Sequence, residues 1–156
     1  DLRSAITVVD NSTGAVVAIA GGVGEKTGNR IWDYATDTKR QPGSSLKPLS
    51  VYAPAIEEGL ILPSTAEDDT AYEVNSKGKL WPTNAEGYYR GLTDVYTAVV
   101  ESLNTIAVKV LNNLGTQASY DFLTGKFGIT SLVASETSST GTVTTDIGLA
   151  QLGLGA

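Results

Sequence analysis

The chain has 156 residues, 41% of them hydrophobic, which suits one domain, or part of one, with a real core. Seventeen acidic against eleven basic residues give a net charge of -6, and no Lys/Arg cluster offers a phosphate-tracking face, which argues against a nucleic-acid partner. There is no cysteine and no histidine, so disulfides, thiolate catalysis, Cys-based zinc sites and any imidazole-dependent serine triad are excluded, and only oxygen-ligated ions remain open.

Taken in chain order, residues 4–10 and 15–20 are β-branched apolar runs joined by Asn11-Ser12-Thr13-Gly14, a pattern that predicts an antiparallel hairpin. Gly21-Gly22-Val23-Gly24 breaks it, and the stretch to Arg40 is polar and turn-rich. A helix is expected from about Ser44 to Glu58, with Leu46, Leu49, Val51 and Ile56 buried, Pro48 near its start and Gly59 as its stop. Residues 61–92, with Pro63, Pro82 and several glycines, read as an extended excursion and the least regular part of the chain. Helical spacing returns over 93–114, interrupted at Ser102-Leu103-Asn104, and again over 117–126. Ser135 to Thr145 reads as a surface loop, followed by a short helix near Ala156. No apolar run approaches the length of a membrane span, no signal peptide stands at Asp1, and the missing initiator methionine suggests a processed piece.

The chemistry concentrates at Ser44 and Lys47. A serine hydroxyl is a weak nucleophile until a base takes its proton, and without histidine the bases left are a lysine amine or a carboxylate. On a helix beginning near Ser44, positions i and i+3 share a face, which turns the lysine toward the hydroxyl. Taken singly, Ser44 reads as a helix N-cap, Lys47 as a solvated lysine, and Ser102 and Asn104 as helix-interrupting polar residues. Trp81-Pro82-Thr83-Asn84 reads as a structural turn rather than a groove wall, and Asp68-Asp69 as a solvated acidic loop rather than a cation site.

The longer context is more specific. Arg40-Gln41-Pro42-Gly43-Ser44-Ser45-Leu46-Lys47-Pro48 resembles the active-site serine motif of the penicillin-binding proteins, most closely the bifunctional class A type, in which S-x-x-K follows R-Q-P-G. Tyr89-Arg90-Gly91-Leu92-Thr93 and the later Glu101-Ser102-Leu103-Asn104-Thr105 are similar to the stretch ending in the family's S-x-N motif. The run VVDNSTGAVVAIAGG is similar to the two strands that open the transpeptidase domain, and Gly125-Lys126-Phe127-Gly128-Ile129 resembles a later helix ending.

The resemblance implies an α/β fold of the serine β-lactamase/penicillin-binding transpeptidase type, an antiparallel sheet flanked by helices, incomplete in this chain. It assigns Ser44 as nucleophile, Lys47 as base, Ser102 as proton relay and Asn104 as hydrogen-bonding partner of lysine or substrate, with no cofactor and no metal. It implies a D-alanyl-D-alanine transpeptidase that cross-links peptidoglycan stem peptides, is inhibited covalently by β-lactams, and works outside the cytoplasmic membrane, tethered only through an N-terminal anchor. The family's K-T-G strand is expected C-terminal to S-x-N. Lys26-Thr27-Gly28 spells that triplet in the wrong place, and residues 1–156 therefore read as the N-terminal portion of one transpeptidase domain, inactive without its C-terminal part. No deacylating-glutamate motif of a β-lactamase stands out, Glu67 and Glu101 being the acids that remain open. A non-catalytic module, such as a β-lactam sensor, is the contrasting class.

Overall fold

The computed structural model describes residues 3–156, which form two compact units, one ending at Arg40 and one from Gln41 to Ala156. The first unit is built on the expected hairpin, β1 (Ile6–Val9) against β2 (Val16–Ala20), antiparallel from Ile6↔Ala20 to Val9↔Val16, with a bulge between Val8 and Val9. Asp10 makes the turn possible. Its carboxylate accepts from the Ser12 N–H at 2.9 Å and from the Thr13 hydroxyl at 2.9 Å, so the backbone reverses with its donors satisfied. These hydrogen bonds, those from Ser12 first, hold the Asp10 carboxyl below the usual carboxylate range.

The second unit opens with a helix that is not the uniform one expected from the sequence. A 3₁₀ turn (Gly43–Leu46) runs through Lys47 into a π turn (Pro48–Tyr52) and then α1 (Ala53–Glu57). Two prolines explain the change of hand-hold. Pro48 and Pro54 have no N–H to give to the carbonyls four residues back, so those acceptors must be satisfied otherwise. The Ser44 carbonyl accepts from the Lys47 N–H at the tighter 3₁₀ spacing and the Ser50 carbonyl from the Ser119 hydroxyl at 2.6 Å, while the Ala53 N–H reaches back to the Pro48 carbonyl at the wider π spacing. Leu49 and Ile56 are exposed, against expectation, because the altered pitch turns Ser50, Val51, Tyr52, Pro54 and Ala55 inward instead.

The stretch read as irregular contains four short strands. β3 (Ala66–Asp69) pairs antiparallel with β6 (Gly91–Asp94), and between them β4 (Glu73–Val74) pairs with β5 (Leu80–Trp81). The residue after β6 starts α2 (Val95–Val100), capped by Asp94, whose carboxylate accepts from the Thr97 N–H at 2.7 Å. The predicted interruption follows, and α3 (Asn104–Leu114) and α4 (Thr116–Lys126) are separated only by Gly115. The serine- and threonine-rich loop holds a two-stranded pair, β7 (Glu136–Thr137) with β8 (Val143–Thr144), and α5 (Leu149–Leu154) ends the chain. The sheets are thus small antiparallel pairs, with the helices gathered in the second unit.

α3 is the centre of that unit. Thr105, Ile106, Ala107, Val108, Val110 and Leu111 are all buried, and α1, α2, α4, α5 and the π turn pack around them. Gly153 lets α5 lie against α3, because a side chain there would meet Leu111 at 3.3 Å and Val108 at 3.5 Å. Leu152, fully buried beside Val51, Leu103 and Leu123 in one cluster, is the anchor of α5. Leu152→Ala is expected to lower unfolding stability by about 2–5 kcal/mol, the range for truncating a buried leucine, as read from a denaturant melt. A loss under about 1 kcal/mol would mean that α5 is not anchored by this side chain.

Candidate active site

The site is assembled from two places far apart in sequence, the 3₁₀ turn that carries Ser44 and the non-helical corner between α2 and α3. Ser44 is exposed, and its hydroxyl has no hydrogen-bond partner among the described residues. The neighbouring serine is engaged differently, since the Ser45 hydroxyl donates to the Pro42 carbonyl at 2.8 Å. The approach to Ser44 is fixed by the far end of the chain. The Gly43 N–H donates to the Gly155 carbonyl at 3.1 Å, and Gly155 sits at φ 68°, so close to the Gly43 backbone that a side chain at that position would collide with it.

Lys47 follows three residues later and is 2% exposed, an unusual burial for an ammonium. Its Nζ donates to the Ser102 carbonyl at 2.7 Å, the Ser102 hydroxyl at 3.2 Å and the Asn104 Oδ1 at 2.6 Å. No carboxylate pairs with it, both ion pairs among the described residues being made by Arg90. Burial therefore acts without compensation from a counter-charge and pulls the Lys47 pKa from its ordinary 10.5 down to about 8. The structure brings Lys47, Ser102 and Asn104 together. Ser44 lies on the same turn as Lys47, but the lysine is hydrogen-bonded to Ser102 and Asn104 and not to the Ser44 hydroxyl.

The corner that meets the lysine is strained. Ser102 lies at φ 53°, the left-handed region that a side chain rarely adopts, and this turn presents both its carbonyl and its hydroxyl to one ammonium. The tight reversal is closed by the Leu103 N–H on the Ala98 carbonyl at 2.9 Å, while the Leu103 side chain is fully buried.

Behind Asn104 lies a buried polar group that the sequence reading missed. Asn84, 4% exposed, accepts at Oδ1 from the Asn104 N–H at 2.9 Å and the Thr105 N–H at 3.4 Å, and donates from Nδ2 to Asp69 at 2.7 Å. Asp69 is fully buried and also accepts from the Thr105 hydroxyl and, at 2.8 Å, from the Arg90 N–H. Asp69 is therefore not the solvated acid expected from the sequence, whereas Asp68 beside it is exposed. No cluster of acidic side chains able to hold a metal ion occurs among the described residues. Burial raises the Asp69 pKa, but the hydrogen bonds from Thr105, Asn84 and Arg90, with the charge of Arg90, outweigh it and hold the carboxyl below its ordinary 3.8. A carboxyl depressed by folding contributes stability that is present above its unfolded pKa and lost as pH falls through its folded one. The chain is therefore expected to lose stability below about pH 4, with Asp69→Asn less stable at neutrality and converging on the parent in acid, as followed by denaturant melts. A parent curve that stays flat through that window would overturn this account.

The remaining singled-out residues fall elsewhere. Glu101 is held by Arg90 at 3.3 Å, and Glu67 lies in β3. Lys26 and Thr27 are exposed in the irregular stretch after β2, within the first unit.

The chain is similar to known proteins over most of its length. The model of the penicillin binding protein transpeptidase domain matches residues 4–155. The chain is 35% identical over 133 residues to penicillin-binding protein 2a of Streptococcus pneumoniae, covering 81% of this chain and 17% of that protein. It is 36% identical over 140 residues to penicillin-binding protein 1A of Clostridium acetobutylicum, covering 82% of this chain and again 17% of the relative. The crystal structure of penicillin-binding protein 1A from Haemophilus influenzae superposes with a TM-score of 0.72 at 26% identity, over 96% of this chain and 22% of that one. The chain thus spans about a sixth of the length of the relatives it matches.

Proposed function

The chain belongs to the penicillin-binding protein transpeptidase family, and from that premise we propose that it carries the nucleophile side of a peptidoglycan D-alanyl-D-alanine transpeptidase centre. The observation that carries the proposal is the hold on Lys47: a lysine buried without a counter-charge, gripped by Ser102 and Asn104, one turn beyond an exposed serine.

The Ser44 Oγ attacks the carbonyl between the two terminal D-alanines of a stem peptide and gives its proton to Lys47. The tetrahedral intermediate collapses to an acyl-enzyme as the terminal D-alanine leaves with a proton delivered through Ser102. An amine from a neighbouring stem then takes the acyl group, restoring the serine hydroxyl. Lys47 acts as a base only when neutral, and at a pKa of about 8 roughly one molecule in ten is neutral at pH 7, against a negligible fraction at the ordinary value.

The hydrogen-bond count fits the exchange. An ammonium has three N–H donors for the three acceptors present, whereas a neutral amine has two and a lone pair. Losing the proton leaves the two short contacts to the Ser102 carbonyl and Asn104 Oδ1 intact and frees the longest, to the Ser102 hydroxyl, so that the lone pair is open to the Ser44 proton. The ammonium so re-formed donates again to Ser102 Oγ as the Ser102 O–H goes to the leaving nitrogen, which is the relay step. The Ser44 N–H, in the first turn of a 3₁₀ segment where backbone donors lack a partner inside the turn, supplies one oxyanion donor.

Residues 1–156 form the N-terminal portion of a single transpeptidase domain, and the C-terminal part carrying K-T-G supplies the second oxyanion donor and the wall that binds the substrate carboxylate. Without it the portion is inactive, since losing one oxyanion donor alone costs about 10²–10³ in rate. β-Lactams acylate the same serine through their strained amide. The centre works on the outer side of the bacterial cytoplasmic membrane. No helix among the described residues is long and apolar enough to cross a bilayer. The test is covalent capture: a labelled penicillin incubated with the complete domain is expected to add one acyl group to the peptide containing Ser44, located by mass spectrometry. An adduct on any other residue would refute the assignment.

A further inference from the structure

Resting on that acyl-transfer reading, we infer that Asp69 and Asn84 are positioning residues for the reaction, a buried pair that sets the start of α3 and so aims the Asn104 amide at Lys47. Asn104 is gripped at two points by one loop. Its backbone N–H goes to Asn84 Oδ1 at 2.9 Å and its Nδ2 to the Thr83 carbonyl at 2.7 Å. The second contact decides which way the amide faces. With Nδ2 spent on Thr83, Oδ1 is the atom left for Lys47, and it is the shortest contact the ammonium makes.

Asn84 in turn cannot rotate, because its own Nδ2 is held by the Asp69 carboxylate at 2.7 Å and the Tyr88 carbonyl at 3.2 Å. Asp69 is locked by the Thr105 hydroxyl and the Arg90 N–H. Asn84 Oδ1 does the work of an N-cap from outside the helix. Leu103, which occupies the cap position of α3, has no side chain able to accept from the first-turn N–H groups, and Asn84 accepts from Asn104 and Thr105 in its place. The chain Asp69–Asn84–Asn104–Lys47 thus runs from a fully buried carboxylate to the proposed base through hydrogen bonds alone, with no charged group between its ends.

The test uses the complete transpeptidase domain and a fluorescent penicillin, resolving reversible binding from the acylation rate at saturation. Asn84→Ala, measured at a temperature where circular dichroism shows the fold intact, is expected to lower the acylation rate about 10²-fold while the dissociation constant moves by less than about threefold, because misplacing the base does not alter the binding surface. A parental acylation rate, or a loss confined to binding, overturns the inference. Should Asn84→Ala not fold, the exchange Asp69→Asn with Asn84→Asp decides. Asp at 84 accepts from the Asn104 and Thr105 N–H groups, Asn at 69 donates to it and still accepts from the Arg90 N–H, and the Thr105 hydroxyl turns to accept. Only the contact to the Tyr88 carbonyl is not restored.

This double variant is expected to fold and to acylate within about tenfold of the parent, faster than Asn84→Asp alone, which sets two carboxylates against each other. Failure to fold, or acylation no faster than that single variant, overturns the pairing. A parent that forms no adduct sinks the acyl-transfer reading and this inference together, whereas a parent that labels at Ser44 beside an Asn84→Ala of equal rate sinks this inference alone.

Discussion

In the complete domain, Ser44→Ala is expected to form no covalent adduct with a labelled penicillin while keeping the parental fold. The side chain is exposed and makes no hydrogen bond among the described residues, so its removal costs little stability, and any loss of labelling belongs to chemistry. Removing the nucleophile of a serine acyl-transfer unit lowers the rate by about 10⁶, which places the variant below detection in a gel or mass assay. Ser45 does not substitute for it, because its hydroxyl is committed to the Pro42 carbonyl. Labelling of Ser44→Ala at even a hundredth of the parental rate would overturn the role given to this serine.

The second large effect concerns Lys47. In the proposed mechanism its neutral form is the active one, and burial lowers its pKa to about 8, so the acylation rate is expected to rise about tenfold per pH unit below that value and to level off above it. Lys47→Arg is expected to lose about 10²–10⁴ in rate and to show no inflection near pH 8, since a guanidinium stays charged throughout. Lys47→Met tests the complementary point. It removes a buried cation and fills similar space, so it should fold while acylating as slowly as Lys47→Arg. A rate that falls as pH rises through 8, or a Lys47→Arg of parental rate, would remove the lysine from the role of base.

Sequence carried the turn at Ser44 and the corner at Ser102-Leu103-Asn104 because both depend on residue type at short spacing. R-Q-P-G-S-S-L-K-P spells its own turn, and Ser102-Leu103-Asn104 breaks a helix visibly. The hairpin was legible for the same reason, two β-branched runs around a turn-forming tetrapeptide. The site's supporting hydrogen bonds were not. Asp69 and Asn84 meet across fifteen residues, and Asn84 reaches α3 across a further twenty, so local propensity shows only an acidic pair and a proline turn. Nor did the helix after Ser44 announce its π turn. A proline near a helix start costs little by itself, but Pro48 and Pro54 together deprive the Ser44 and Ser50 carbonyls of their α-helical partners, and one accepts at 3₁₀ spacing from Lys47 while the other accepts from the Ser119 hydroxyl. The strands over 66–94 escaped because they are two to four residues long and the longer two, Ala66–Asp69 and Gly91–Asp94, carry four acids and a glycine.

The hydrogen bond from Gly43 to Gly155 bears on how the protein is made. Translation delivers the Ser44 turn before α5, so a growing chain carries the serine through the residues between them with no partner for the Gly43 N–H. Closing that long loop is the step that defines the approach to the serine, and until Gly155 has left the ribosome it cannot occur. The turn is therefore shaped only once this whole segment has emerged, which delays the final form of the Ser44 turn until its own packing partner exists.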